Sequence, residues 1–162
     1  MRIRYIARDE VRDFIDCYIE VFETLKGILP LDYVETQIQN ASTQEFYDNL
    51  LAEFDNPDCI LAVSLIDEAI IGMTWGNIRE DGTGWLAFRG VKKPHRGKGV
   101  GRAILYWFID ECKARGAPSV SLDTNHALVP AITLYESEGF VRQGLIENPY
   151  GLELILFNKE LT

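Results

Sequence analysis

The most informative stretch of this sequence is Arg96-Gly97-Lys98-Gly99-Val100-Gly101-Arg102, which runs directly into an apolar segment with helical periodicity. Glycine at every second position leaves no Cβ to obstruct a ligand that approaches the backbone. A helix that begins near Gly99 or Val100 has N–H groups without intrahelical partners at the positive end of its dipole. Such an end binds phosphate or pyrophosphate, and the two arginines and the lysine add positive charge. The stretch therefore predicts a phosphate-binding loop.

Two common nucleotide-binding motifs do not fit this loop. A Walker A loop requires Ser or Thr after its lysine, whereas Gly99 follows Lys98. A dinucleotide fingerprint requires Gly-x-Gly-x-x-Gly, whereas its third glycine would fall at Arg102 or at Ile104. The pattern that remains is Arg-x-x-Gly-x-Gly, and a glycine-rich turn that merely starts a helix is the alternative interpretation.

The segments around the loop predict a strand before it and helices after it. A strand is predicted over residues 85–91, and the helix after the loop is predicted to stop at Arg115-Gly116. Further on, a short strand at 120–123 precedes a helix over 130–140, which has proline near its start and glycine near its end. One apolar face is predicted for the first helix, formed by Val100, Ala103, Ile104, Trp107, Phe108 and Cys112.

Two motifs together resemble the GCN5-related N-acetyltransferases (GNAT family). The first is Arg96-x-x-Gly99-x-Gly101, which resembles the family's acetyl-CoA pyrophosphate loop. The second is Ala131-x-x-Leu134-Tyr135-Glu136-x-x-Gly139-Phe140. The resemblance covers roughly residues 85–142. It departs from the family where a proline would precede the arginine by three residues, since Lys93 stands there, and where an asparagine would precede the tyrosine by seven, since Leu128 stands there.

The resemblance implies an α+β fold with three layers, α/β/α, in which helices flank a mixed, mostly antiparallel central sheet. The family's element order is strand, two helices, three strands, helix, strand, helix, two strands, and the residue patterns agree with it over a single domain, residues 1–162. Helices before the loop are predicted over 10–26, 32–38 and 43–54. The remaining strands are predicted over 2–7, 59–66, 69–78, 140–146 and 152–157.

The function that the resemblance implies is acetyl transfer from acetyl-CoA to a primary amine of a small molecule or peptide, by direct attack in a ternary complex. Tyr135 occupies the family's tyrosine position and would protonate the leaving thiolate, while a backbone N–H near Gly90 or Val91 would face the thioester oxygen. Asn125 is the candidate to replace the family's asparagine. The predicted cofactor-binding residues are Gly90, Val91, Arg96, Gly97, Lys98, Gly99, Val100, Gly101, Arg102 and Asn125.

The general base is not settled by these patterns. Asp123 and His126 follow the short strand near the expected acyl position, and Asp123 is the residue predicted to be catalytic. Glu80, Asp81 and Glu147 are the other candidates, and a relayed water is a further possibility. A non-catalytic acyl-CoA-binding or regulatory domain of the same fold is the alternative function.

Composition and charge narrow the possible partners. The formal charge of −9 argues against a nucleic-acid partner and favours a cationic acceptor. Three widely separated cysteines predict reduced thiols and a cytoplasmic protein, with no metal site. The N-terminus has no signal-peptide pattern and no apolar run could span a membrane, so no membrane partner is expected. A homodimer is left open.

Overall fold

The computed structural model describes residues 1–162, which form one seven-stranded sheet between two layers of helices. The strands are β1 (Arg2–Tyr5), β2 (Cys59–Ile66), β3 (Ala69–Ile78), β4 (Gly84–Val91), β5 (Ser119–Thr124), β6 (Val141–Glu147) and β7 (Glu153–Glu160). The helices are α1 (Val11–Glu23), α2 (Leu31–Ala41), α3 (Gln44–Ala52), α4 (Val100–Ala114) and α5 (Val129–Ser137). No helix is both long and apolar enough to cross a membrane.

The sheet has the order β1-β2-β3-β4-β5-β7-β6, and only the β4–β5 pair is parallel. The predicted β2–β3 hairpin is present, and both residues of its turn, Asp67 and Glu68, have positive φ angles of 50° and 64°. Such angles match the right-handed twist of the flanking strands. The prediction of a mixed, mostly antiparallel sheet is therefore confirmed.

The two faces of the sheet carry separate cores. Helices α1, α2 and α3 pack on one face, where Phe14 and Leu50 meet Val63 and Met73 from the strands. Helices α4 and α5 cover the other face, where Phe108 and Tyr135 meet strand residues such as Leu122 and Phe157. Alternate residues of the central strands supply the two faces, because side chains alternate along a strand: in β2, Ile60 belongs to one core, and Leu61 and Val63 belong to the other. This arrangement confirms the predicted three-layer architecture.

An irregularity in β4 opens the middle of the sheet. Trp75 of β3 pairs with Phe88, but the next residue, Gly76, pairs with Leu86, so Ala87 is an extra residue in β4. The parallel pairing of β4 with β5 covers only Gly84 to Leu86. Beyond this β-bulge the two strands diverge, as bulges bend and twist the strand that carries them. The resulting gap between β4 and β5 positions the site described below.

Several element boundaries differ from the sequence prediction. Helix α1 ends at Glu23 and not at residue 26, because the Thr24 hydroxyl bonds to the Val21 carbonyl and Gly27 follows with φ of +85°. Helix α3 ends at Ala52, and a single 3-10 turn follows it. Strand β7 extends to Glu160 because its residues 155–160 pair with β5, a long-range contact that local patterns do not contain.

Candidate active site

The loop before α4 presents a row of unpaired backbone donors. None of the six amide groups from Gly97 to Arg102 donates a hydrogen bond to another group of the chain. Gly97 and Gly99 adopt left-handed φ angles of +74° and +81°, and no atom lies within 4 Å of the position of a Cβ on either. Unpaired amides at a helix start, with open space in front of them, form a site for an anion.

The three cations of the loop have different roles. Arg96 braces the loop, because its Nε donates to the Val91 carbonyl and its Nη2 to the Thr24 hydroxyl, each at 2.8 Å. Burial lowers the pKa of Arg96. Arg102 is paired with Glu138 and so links α4 to the end of α5. Lys98 is exposed and forms no ion pair, so it is the cation of this loop that is free to meet a ligand.

A cavity of about 150 Å³ lies in the gap between β4 and β5 and is lined by residues from both faces of the sheet. Tyr135 of α5 lines it on one face, and Phe22 of α1 and Tyr33 of α2 line it on the other. Two charged side chains, Arg89 and Asp123, reach it among mostly apolar neighbours. The remaining lining residues are Leu25, Leu29, Leu86, Ala87, Phe88, Thr124, Asn125, Leu128, Ala131, Leu152 and Leu154.

Tyr135 is held with its hydroxyl at this cavity. The side chain is 6% exposed, and its ring packs edge-on against Phe140 at 5.7 Å and near Phe157 at 6.2 Å between ring centroids. The hydroxyl oxygen accepts contacts of 3.4 Å from both Nε and Nη2 of Arg89. The predicted acid is therefore fixed in position by packing, with its polar atom at the gap.

Asp123 is the one carboxylate that lines the cavity. It is half-buried on β5, and burial raises its pKa, while the positive charge of Arg79 partly opposes that rise. Burial raises the pKa of the nearby Tyr33, and the negative charge of Asp123 raises it further. A carboxyl group whose pKa is raised toward the working pH is suited to accept a proton.

The other candidate bases lie outside this cavity. Glu80 and Asp81 are in the exposed turn between β3 and β4, where hydrogen bonds from Thr83 lower the pKa of Asp81. Glu147 is exposed at the end of β6. His126 lines an adjacent pocket of about 590 Å³, together with Glu153 and a loop that includes residues 27–31.

Three predicted cofactor-binding residues have structural partners of their own. Asn125 is 4% exposed, donates to the Glu153 carbonyl at 2.8 Å and accepts from the Ala127 amide at 2.9 Å. Gly90 is packed against α1, since a Cβ there would lie 3.0 Å from Val21. The Val91 carbonyl accepts a hydrogen bond from Nε of Arg96. Their binding of a cofactor remains a prediction.

The backbone N–H of Val91, unlike that of Gly90, points toward the cavity. The amide of the next residue, Lys92, donates to Ile71 of β3 at 2.8 Å. Backbone groups of successive residues point to opposite sides of a strand. The N–H groups of Val91 and Arg89 therefore face the gap beside β5, and that of Gly90 faces β3.

Contacts between α2 and the β6–β7 turn form the rim of the cavity on the α1–α2 face. Tyr33 and Tyr150 meet edge to face at 5.8 Å, and Asn40 Nδ2 donates to the Tyr150 hydroxyl at 3.3 Å. This rim belongs to segments far apart in the sequence. Of these residues Tyr33 lines the cavity, so the contacts lie beside it.

The cysteines are poor nucleophiles in this structure. Burial raises the pKa of Cys17 to about 11 and those of Cys59 and Cys112 to about 12. A thiol acts as a nucleophile through its thiolate, so these residues are predominantly in the unreactive form at neutral pH. No group of three or more His, Cys, Asp or Glu side chains is arranged to hold a metal ion.

Comparison with protein families gives a match over most of the chain. The model of the acetyltransferase (GNAT) family matches residues 18–140. A mycothiol acetyltransferase from Thermomonospora curvata is 34% identical over 76 residues, which are 47% of this chain and 26% of that protein. Another from Saccharopolyspora erythraea is 32% identical over 89 residues, which are 55% of this chain and 29% of that protein. The matches thus span less than a third of the length of these curated relatives.

Solved structures share the fold at low sequence identity. PaiA N-acetyltransferase from Thermoplasma acidophilum, solved in complex with coenzyme A, has a TM-score of 0.81 and 18% identity, over 99% of this chain and 98% of that one. YncA from Salmonella typhimurium, solved with its cofactor acetyl-CoA, has a TM-score of 0.76 and 20% identity, over 100% of this chain and 94% of that one.

Proposed function

The chain belongs to the acetyltransferase (GNAT) family, and on that premise we propose that it moves an acetyl group from acetyl-CoA to a primary amine by direct attack in a ternary complex. The observation that carries this proposal is the cavity between β4 and β5. It brings the hydroxyl of Tyr135 and the carboxylate of Asp123 to one gap between strands, with the unpaired amides of the loop at the start of the adjacent helix.

The acetyl donor would occupy the face of the sheet that carries α4 and α5. Its pyrophosphate fits the amides of residues 97–102, with Lys98 as the nearby free cation. Its pantetheine arm would then follow the gap between β4 and β5. The N–H groups of Arg89 and Val91, which face this gap, are suited to hold the thioester oxygen as negative charge develops on it.

The amine would approach from the α1–α2 face. In the reaction a bond forms between the amine nitrogen and the acetyl carbon, and the bond from that carbon to sulfur breaks. The amine attacks in its neutral form, so an acceptor that rests as a cation first gives one proton to water. Asp123 then accepts the proton that the nitrogen loses as the amide forms and passes it to solvent, and Tyr135 donates its phenolic proton to the departing sulfur. Solvent restores the tyrosine proton, so the products are the acetylated amine and coenzyme A with a free thiol.

The experiment that tests this function measures free thiol when the purified chain is mixed with acetyl-CoA and a panel of amines. We expect thiol release that depends on one class of amine, together with a matching 42 Da mass increase for one acetyl group on the acceptor. Binding of coenzyme A without turnover of any amine would support the alternative, a non-catalytic acyl-CoA-binding domain. No binding of coenzyme A would contradict both.

We expect the best acceptor in that panel to carry a positive charge in its resting form. The chain has a formal charge of −9, and Asp123 and Glu153 lie at the cavity and in the pocket beside it. Their field would raise the local concentration of a cation. The apparent acceptor affinity should fall as salt is raised past about 0.1 M, where exposed charges are screened beyond about 10 Å. A neutral best acceptor, or indifference to salt, would contradict this prediction.

Replacing Gly99 with alanine should weaken binding of coenzyme A by about tenfold or more. An added Cβ would stand in the open space before the loop amides, at a backbone φ of +81°. The matched control is Gly116→Ala at the other end of α4, where φ is +79° and the space is also open. Both variants should lose a similar stability of about 1–2 kcal/mol, but only the Gly99 variant should lose affinity in calorimetry. Equal affinities for the two variants would refute the loop assignment.

A further inference from the structure

Arg89 places an unneutralised guanidinium inside the cavity. It is half-buried on β4, two residues beyond the extra residue Ala87, and it forms no ion pair with any carboxylate. Its polar contacts are the two to the Tyr135 hydroxyl, and its Cζ lies 5.3 Å from the centre of that ring. A half-buried guanidinium without a carboxylate partner is available to an anionic group, which would complete this site.

A second source of positive potential converges on the same place. Nη1 of Arg89 lies so close to the first turn of α4 that a Cβ on Gly101 would collide with it. That turn carries the positive end of the helix dipole. The loop's own arginines do not compete with Arg89 for an anion, because both have partners already. Arg96 is bound to Val91 and Thr24, and Arg102 is bound to Glu138.

The contact with Arg89 also determines where the Tyr135 proton can point. A guanidinium has only donors, so the tyrosine oxygen must be the acceptor in both contacts. The phenolic hydrogen is therefore directed away from Arg89. The ring itself packs against Phe140 and Phe157. Because Tyr135 also lines the cavity, we infer that the hydrogen points into it.

We propose that Arg89 is a positioning residue for the leaving group in the function proposed above. It holds the Tyr135 hydroxyl as an acceptor, so that the tyrosine proton is aimed at the departing sulfur, and its positive charge stabilises the tyrosinate that remains when the proton is transferred. No additional reactant is needed, because the proton still comes from Tyr135 and the electron pair of the broken carbon–sulfur bond stays on sulfur. Arg89 itself is unchanged.

Binding of coenzyme A compared with desulfo-coenzyme A tests this role without any acceptor. At alkaline pH, where part of the coenzyme A thiol is ionised, the wild type should bind coenzyme A roughly tenfold more tightly than the desulfo analogue, as expected for a charge-assisted hydrogen bond. Arg89→Met should lose most of this preference, and Arg89→Lys should retain part of it. Arg142→Met is the matched control. Arg142 lies on β6 and pairs with Glu136, the residue after Tyr135 on α5, but it does not contact Tyr135.

Kinetics provide the second measurement. Arg89→Met should lower kcat roughly 10- to 100-fold with little change in the KM for acetyl-CoA, and Arg89→Lys should restore part of the rate. Because Arg89 acts through Tyr135, adding Arg89→Met to Tyr135→Phe should cost much less than it costs alone. Circular dichroism and thermal unfolding establish that each variant is folded.

Three results would overturn the proposal. The first is an unchanged preference for coenzyme A over its desulfo analogue in folded Arg89→Met. The second is an equal loss of affinity for both ligands, which would place Arg89 on the phosphates. The third is full additivity with Tyr135→Phe. A wild type that binds neither ligand would contradict the function proposed above. A wild type that binds and turns over, with Arg89 variants that behave like it, would contradict only the role of Arg89.

Discussion

An Asp123→Asn variant should turn over about 10²- to 10⁴-fold more slowly than the wild type and yet unfold at a higher temperature. Asp123 is the carboxylate of the cavity, and its removal leaves the amine without a proton acceptor there. Asparagine keeps the size and polarity of the side chain, so the packing on β5 is preserved. Opposite changes in activity and stability would separate a catalytic group from a structural one.

The gain in stability follows from the raised pKa of Asp123. In the folded protein, burial raises the pKa of Asp123. In the unfolded chain the pKa of an aspartate is lower, about 3.9. Between these two pKa values the folded state binds more protons, so the free energy of unfolding falls as the pH rises. Above both values the ionised carboxylate remains a cost, which asparagine removes. The advantage of the variant should disappear at a pH below both pKa values.

Thermal unfolding and the pH profile of kcat/KM check this prediction. The wild-type rate should fall as the pH drops through the raised pKa of Asp123, and the residual rate of the variant should lack that acid limb. Asp81→Asn is the control, since hydrogen bonds from Thr83 lower the pKa of this exposed carboxylate and the variant should gain no stability. Unchanged turnover in Asp123→Asn would show that another group, or water, takes the proton.

Replacing Tyr135 with phenylalanine should slow turnover by about 10²-fold, at the low end of the range for acid catalysis. The low end is expected because a thiol with a pKa of about 8.5 is already a fair leaving group. The ring contacts with Phe140 and Phe157 persist in phenylalanine. Affinity for coenzyme A should therefore change much less than kcat.

Single-turnover measurements under conditions where chemistry limits the rate provide the test of Tyr135. Tyr106→Phe is the control, because it deletes a hydroxyl on the neighbouring α4 that bonds only to Glu138, at 2.9 Å. We expect that variant to react at the wild-type rate. If Tyr135→Phe also reacts at the wild-type rate, the residue serves packing alone.

The parts of the site that could be predicted from sequence are those encoded by neighbouring residues. The loop that we propose for the pyrophosphate requires backbone geometry that glycine supplies locally, and Gly97 and Gly99 indeed have positive φ angles. Tyr135 lies on a helix whose start and end are marked by Pro130 and Gly139, so its position could be placed from its own segment. The hairpin at Asp67-Glu68 is local in the same sense.

The parts that could not be predicted depend on contacts between distant segments. Arg89 meets Tyr135 across 46 residues, and the bulge at Ala87 appears only when β4 is aligned with β3. A signal for Arg89 was present, since it is the only charged residue in the otherwise apolar strand β4. The different roles of Arg96 and Lys98 also required the structure, because both are simply cations in the sequence.

The contact of Tyr33 and Asn40 with Tyr150 has a consequence for directed evolution. These side chains come from α2 and from the β6–β7 turn, whereas the loop amides and Tyr135 belong to α4, its preceding loop and α5. A randomised library confined to α2 and residues 148–151 would therefore vary the contacts beside the cavity, where we propose that the amine enters, without altering the loop amides or Tyr135. Selection on such a library could change which amine is accepted while the same acyl-transfer machinery is inherited by every clone.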